Sequence, residues 1–237
     1  MDYLQKIKKL YGLSKNYGYS ENEIVEVEII LKIKFPKTLR EYYHILGKNK
    51  VVNESFNRLL KINEEIGFTD DNNYLVFYEE NQGVVYWAIS KYEMGNNNPK
   101  VFGNYDPNNK SDDWFIDSET MEGFLLSMAY WNGVLGGLKY NANYSKDNRI
   151  KSSIIKTIEN DWNEIKGITN QQLRFFENDG REIIALTTDL KNNVNGIYIG
   201  TNNKETFIEA LGEINIKWDY RSDEDDELNN GKRANGV

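Results

Sequence analysis

The stretch Tyr74–Ser90, YLVFYEENQGVVYWAIS, decides how the chain folds. Tyr74 to Glu80 and Val84 to Ser90 are rich in aromatic and β-branched side chains, which suit a pleated, half-buried surface. Between them Asn81-Gln82-Gly83 gives a short connection with glycine where positive φ is favoured. The spacing predicts a β-hairpin. In its second strand Val84, Tyr86 and Ala88 fall on one face, and Val85, Trp87 and Ile89 on the other. Both faces are apolar, so this strand is expected in the middle of a sheet with cover on each side. A further strand is expected near Lys100 to Asn104.

Upstream, Ser20-Glu21-Asn22-Glu23 has the form of a capping box, in which the hydroxyl and the carboxylate each satisfy an orphan backbone donor. Ile24, Val27, Ile30 and Leu31 then repeat at helical spacing and predict an amphipathic helix. Pro36 disfavours helix at Phe35. A second helix is expected from Lys37, with Leu39, Tyr42, Tyr43 and Leu46 on one face and Gly47 as a left-handed C-cap. Downstream of the hairpin, Ser118 is placed to cap a helix whose buried stripe is Met121, Phe124, Leu125 and Met128. Asn132-Gly133 and Gly136-Gly137 then break it.

The polar stretch 141–149 is the expected boundary between two domains, 1–145 and 146–237. The second opens with an expected helix from Ile150 to Ile165, carrying Ile154, Ile158 and Trp162. A second hairpin follows, Leu173 to Glu177 and Glu182 to Thr188, joined by Asn178-Asp179-Gly180. Gly196 to Gly200 reads as a strand, Lys204 to Leu211 as a helix and Ile214 to Trp218 as an edge strand. From about residue 219 a polar acidic tail is expected to fray, its run Asp223 to Glu227 being solvated. The two hairpins share a form, which chance explains better than duplication. The fold class expected is α+β: a mostly antiparallel sheet flanked by helices, with a C-terminal α+β extension.

With 237 residues the chain has room for one large domain or two modest ones, and its 10 Phe, 16 Tyr and 5 Trp can fill a core. Against 29 Lys and Arg stand 37 Asp and Glu, a net charge of −8 that argues against a nucleic-acid binder. There is no cysteine and a single histidine, His44. That removes thiolate nucleophiles, disulfides, zinc fingers and multi-histidine metal sites. His44 lies in the second helix beside Tyr42 and Tyr43 and is expected to be structural.

No stretch approaches the ~20 apolar residues that cross a bilayer, and Met1 to Leu10 has no signal-peptide core. A cytoplasmic location and no membrane partner are expected. The phosphate-cradling glycine motifs and G-x-S-x-G are absent from the sequence, and no cofactor is expected. Asn104 to Asn109 fails as a calcium loop, since Asn109 stands where glycine is required and Phe115 where glutamate is.

Carboxylate doublets occur at Asp70-Asp71, Glu79-Glu80 and Asp112-Asp113. Glycoside hydrolysis needs two carboxyls roughly 5–10 Å apart across a cleft. Acidic doublets in the polar loops of an acidic protein read first as solvated turns, so no enzyme and no catalytic residue is expected. A carbohydrate-active enzyme using Asp70, Asp71, Asp112 or Asp113 is the third reading.

These residues resemble the SUKH superfamily, shared by the Smi/Knr-type regulators and many bacterial immunity proteins. The likeness lies within the first 135 or so residues. Ser20 to Leu31 running into Lys34-Phe35-Pro36 is similar to the family's helix and hydrophobic-Pro step. Leu39-Arg40-Glu41-Tyr42-Tyr43 resembles its next helix, and Tyr74 to Ser90, with Trp87 late in the second strand, its central hairpin. Ser118 to Met128 resembles its closing helix. The family often carries Asn-Gly after the second helix, where this chain has Leu46-Gly47-Lys48-Asn49.

The resemblance implies an immunity protein, a cytoplasmic antidote whose partner is a cognate protein toxin, for instance a nuclease, of a polymorphic or contact-dependent system. A regulatory scaffold of the Smi/Knr type is the alternative. Partner-binding candidates are acidic or aromatic positions expected in exposed loops: Asp70, Asp71, Glu79, Glu80, Asp112, Asp113 and Trp114.

Overall fold

The structure, a computed structural model, describes residues 2–105, 114–145, 150–168 and 172–224. It is α+β, with two antiparallel sheets and flanking helices. By contacts the chain forms two compact units. The first holds the residues up to Gln5 and Leu13–Asn132; the second holds Lys6–Gly12 and the residues from Gly133 onward.

Helix α1 (Tyr3–Tyr11) opens the chain, and its residues are divided between the units. Helix α2 (Glu21–Leu31) starts at the expected capping box: the Ser20 hydroxyl accepts the Glu23 N–H at 3.3 Å, and the Glu23 carboxylate accepts the Ser20 N–H at 2.8 Å. Ile24 and Val27 are buried, but Ile30 stands exposed instead of completing the stripe. Glu28 takes the inward place. Its Oε1 accepts the Phe35 N–H at 2.9 Å and lies 3.4 Å from the Arg40 Nε, so a carboxylate secures the turn into the next helix. In α3 (Lys37–Leu46) Leu39, Tyr42, Tyr43 and Leu46 are buried as expected. Gly47 is right-handed at φ −56°, not a left-handed cap; a side chain there would press on the Tyr19 ring, 2.9 Å from its Cβ.

After α4 (Lys50–Asn53) come β1 (Arg58–Leu59), β2 (Gly67–Phe68), β3 (Tyr74–Glu79), β4 (Tyr86–Ser90), β5 (Val101–Asn104) and β6 (Phe115–Ser118). Their order is β1-β3-β4-β5-β6, with β2 also on β3. The predicted hairpin is β3–β4, turned at Gly83 with φ +69°, and β4 is interior. Helix α5 (Met121–Asn132) covers one face, its Phe124 ring 5.5–5.6 Å from those of Phe77, Tyr78 and Trp87. The cap of α5 is Thr120, whose hydroxyl accepts the Gly123 N–H at 3.2 Å; Ser118 donates to the Thr120 carbonyl instead.

The second unit contains β7 (Tyr140–Ser145), α6 (Ser152–Asp161), β8 (Asn163–Glu164), β9 (Leu173–Asn178), β10 (Glu182–Thr188), β11 (Val194–Thr201), α7 (Lys204–Ile214) and β12 (Tyr220–Arg221). Its sheet runs β12-β7-β11-β10-β9-β8. Ile158, Phe176, Ile184, Ile197 and Phe207 form the centre of its core.

Four expectations differ here. The stretch 141–149 begins inside β7, so the division falls after Asn132; Tyr140 and Ala142 are buried between polar neighbours that hid the strand. The helix expected to reach Ile165 stops at Asp161, where the chain turns into β8. Ile214 to Trp218 is no strand: Ile214 ends α7, Asn215 adopts φ +47°, and Ile216 and Trp218 pack against the core. Nor does the chain fray from residue 219. Asp219 accepts the Ser145 N–H at 2.8 Å, β12 pairs with β7, and the buried Asp223 carboxylate pairs with Arg221 at 2.7 Å. The rest of the acidic run lies outside the described residues.

Candidate functional site

Strand register in the first unit sets Val76, Ala88, Phe102 and Ile116 in line across four strands. Because side chains alternate, Tyr74 and Tyr86 share their face, while Leu75 and Trp87 turn to the side covered by α5. The outer face is therefore aromatic and aliphatic. Tyr74 packs edge-on against Phe102 at 5.7 Å and stacks on Trp114 at 4.0 Å, nearly parallel at 13°. Ile116 beside them is 50% exposed. Rings of this kind offer large contact area at small entropic cost on ordering, which is what an interface anchor requires.

The acidic candidates fall at both ends of this face. Asp70 and Asp71 lie in the connection between β2 and β3. Asp71 accepts from the Thr69 hydroxyl at 2.5 Å and from the Asn73 backbone and side-chain amides at 3.1 and 2.7 Å. These hydrogen bonds hold its carboxyl below the ordinary range. Trp114 joins them through its stack on Tyr74. Glu79 lies at the far end of β3, five residues or about 17 Å along the strand. It is ion-paired with Arg58, which also bonds Glu65 at 2.7 Å. Glu80 closes the hairpin, accepting the Gln82 and Val84 N–H groups at 2.8 and 3.3 Å.

The Asp70-Asp71 turn and the Trp114 ring thus both lie toward the Tyr74 end of β3, with Glu79 and Glu80 at its other end. Asp71, Glu79 and Glu80 also have local structural work, which leaves Asp70 and Trp114 as the candidates best placed to meet a partner. Asp112 and Asp113 lie outside the described residues. Tyr74, Phe102 and Ile116 were not among the sequence candidates. The alternation of Tyr74 and Val76 marks one face of a strand, but only the pairing of β4, β5 and β6 shows what else shares it.

For acid–base chemistry Asp71 is a poor proton donor, because its hydrogen bonds favour the carboxylate where a glycosidase acid must be held protonated. Asp117 is the one carboxyl of β6 that burial raises; the adjoining Trp87 side chain opposes the shift. By alternation it points to the face under α5, away from Tyr74 and Ile116. His44 bonds the Tyr19 carbonyl through Nδ1 at 2.9 Å, a structural tie between the start of α2 and α3. Among the described residues no group of three or more His, Cys, Asp or Glu is placed to hold a metal ion, and no helix is long and apolar enough to cross a membrane.

No protein-family model, curated protein or solved structure matches this chain.

Proposed function

We propose that the chain is an immunity protein, an antidote that binds a cognate bacterial toxin in the cytoplasm and blocks it without transforming a substrate. The observation that carries this reading is the Tyr74–Trp114 stack, set between the half-exposed Ile116 and the acidic turn at Asp70. Large rigid rings are the residues that most often dominate binding energy, and a carboxylate at their border favours a basic partner. The net charge of −8 adds long-range attraction to such a surface, for instance the phosphate-binding cleft of a nuclease. The resemblance of the first unit's sequence to the SUKH superfamily supplies the toxin as the class of partner.

The test is co-expression with the C-terminal domain of a large secreted protein encoded immediately upstream. Survival of the host and a complex that copurifies are expected. The double variant Trp114→Ala, Ile116→Asp should then weaken the complex by about 30-fold or more, as loss of an anchor of about 2 kcal/mol requires. Death of the host with no complex would overturn the reading.

A further inference from the structure

The two sheets correspond strand for strand. In the first, β1, β3, β4 and β5 lie side by side in the order that β8, β9, β10 and β11 take in the second. Register agrees as well: Ala88 faces Val76 and Phe102, Ala185 faces Phe175 and Tyr198, and both alanines are fully buried. The later helices match too. Met121, Phe124, Leu125 and Met128 are buried on α5, and Phe207, Ala210, Leu211 and Ile214 are buried at the same spacing on α7. The face of the second sheet that carries Phe175, Ile183 and Ala185 therefore corresponds to the outer face of the first, with Ile183 in the place of Tyr86 and Glu177 in the place of Glu79. Their cover differs. Phe175 and Ile183 are fully buried. The Lys6–Gly12 half of α1 crosses their face at the end where the hairpin turns. Lys6 reaches Glu177 at 3.0 Å, a Cβ on Gly180 would lie 3.4 Å from the Lys9 Cδ, and the Leu10 carbonyl accepts from Asn202, beyond β11, at 3.4 Å. Ile7 and Leu10, on this half of the helix, are buried. In the first unit Tyr86 is only half-buried, and Val84, just before β4, is 49% exposed.

The carboxylate at this end is satisfied differently in the two sheets. Glu177 faces Asn163 across the strands and takes its cation, Lys6, from α1. Glu79 faces Arg58 and pairs with it, so the first sheet supplies its own cation and stands without a helix. What it leaves uncovered is apolar at Val84 and Tyr86. We propose that the toxin lays one amphipathic helix across this end of the first sheet, in the place α1 takes on the second. The inference rests on the toxin reading and adds the form of the element that the toxin brings. The apolar stripe of that helix meets Val84 and Tyr86, as Ile7 and Leu10 of α1 are buried in the second unit. Its flanks are basic, because Glu64, Glu65, Glu79 and Glu80 stand nearby against Lys61 and Arg58 and leave this end acidic. Lys6, Lys8 and Lys9 give α1 the same character. Recognition of this kind is read by anchors at i, i+3, i+4 and i+7 of the bound helix.

The probe is the toxin domain of the co-expression test, bound to the full chain with the photo-cross-linker p-benzoylphenylalanine in place of Val84. Cross-links to toxin residues three or four apart on one helix are expected. The same cross-linker in place of Ile208, 44% exposed on α7, should give none. Val84→Asp should weaken the complex by at least about 10-fold, as loss of an apolar anchor does, with circular dichroism unchanged because the side chain is half exposed. Cross-links spaced by two along an extended segment, or confined to a loop, would overturn the inference while the toxin reading stands. So would a complex that Val84→Asp leaves as tight as wild type. Failure of any complex to form would remove the toxin reading itself, and this inference with it.

Discussion

Asn132, the last residue of α5, is fully buried and ties that helix to the chain after α4. It accepts the Asn57 N–H at 2.8 Å, and its amide reaches the Val52 and Asn57 carbonyls at 2.8 and 2.9 Å. Asn132→Leu keeps the volume but strands these buried groups, each loss being worth about 1–3 kcal/mol. A fall of about 3 kcal/mol in stability, read from denaturant midpoints, is expected. Glu182 poses the opposite problem. Its Oε1 accepts the Trp162 indole N–H at 3.0 Å, while Oε2 finds no partner among the described residues. Burial pushes its carboxyl above the ordinary value of 4.5, with the Trp162 hydrogen bond opposing. The folded state thus holds this proton more tightly than the unfolded chain. The associated stability is present at low pH and lost as pH rises through the raised value. Glu182→Gln keeps an acceptor for Trp162 without the charge. It should be more stable than wild type at pH 7, and the advantage should shrink as pH falls toward 4.5. A variant less stable at pH 7 would contradict this. Neither residue was legible in the sequence, because nothing local distinguishes a buried Asn or Glu from the many on the surface. The Ser20 capping box was legible, because its chemistry is complete within four residues.

At the scale of elements, the hairpin β3–β4 and the hairpin β9–β10 could be read directly, each being two β-branched and aromatic runs about a glycine turn. The helix α1 was also visible in principle, since Tyr3, Leu4, Ile7, Leu10 and Tyr11 repeat at helical spacing and are all buried. β7 was concealed by its asparagines, and Ile214 to Trp218 imitated a strand because the end of a helix and an extended segment happened to bury alternate residues. The connection before α2 shows how tightly such segments can be held. Tyr17 and Tyr19 donate to the Ile45 and Tyr43 carbonyls at 2.7 and 2.9 Å, and a Cβ on Gly18 between them would fall 1.9 Å from the His44 carbonyl oxygen. Backbone cannot yield there as a flexible side chain can. Gly18→Ala should cost about 3 kcal/mol, the upper part of the overpacking range, measured by thermal or urea unfolding. Ser20→Ala, which removes only a cap, should cost about 1 kcal/mol. Equal effects would contradict the geometry.

Over the whole molecule, each unit carries a short strand, a hairpin, a third strand and a later helix in the same chain order. They differ in what lies beyond the third strand: β6, which follows it in the first sheet, and β7, which precedes it in the second. The α+β class followed from the pattern of elements alone. The candidate surface did not, because Tyr74, Phe102 and the Trp114–Ile116 segment are far apart in sequence and meet only through sheet register. What the sequence supplied was the chemistry to look for, Trp114 and the acidic turn at Asp70. On the proposed function, Asp70→Lys should slow association with the toxin at low ionic strength and flatten its salt dependence, measured by surface plasmon resonance. An unchanged association rate would remove the electrostatic part of the proposal.

The claim that this molecule acts by covering another protein can be read from its backbone. Hydrogen–deuterium exchange on the full chain, free and bound to the toxin domain that the proposed function calls for, reports where that partner sits. The account predicts slowed exchange in Tyr74–Glu79, Val101–Asn104 and Phe115–Ser118 on binding, with β9 and β10 unchanged. Binding that leaves those three strands as they were in the free chain would contradict it.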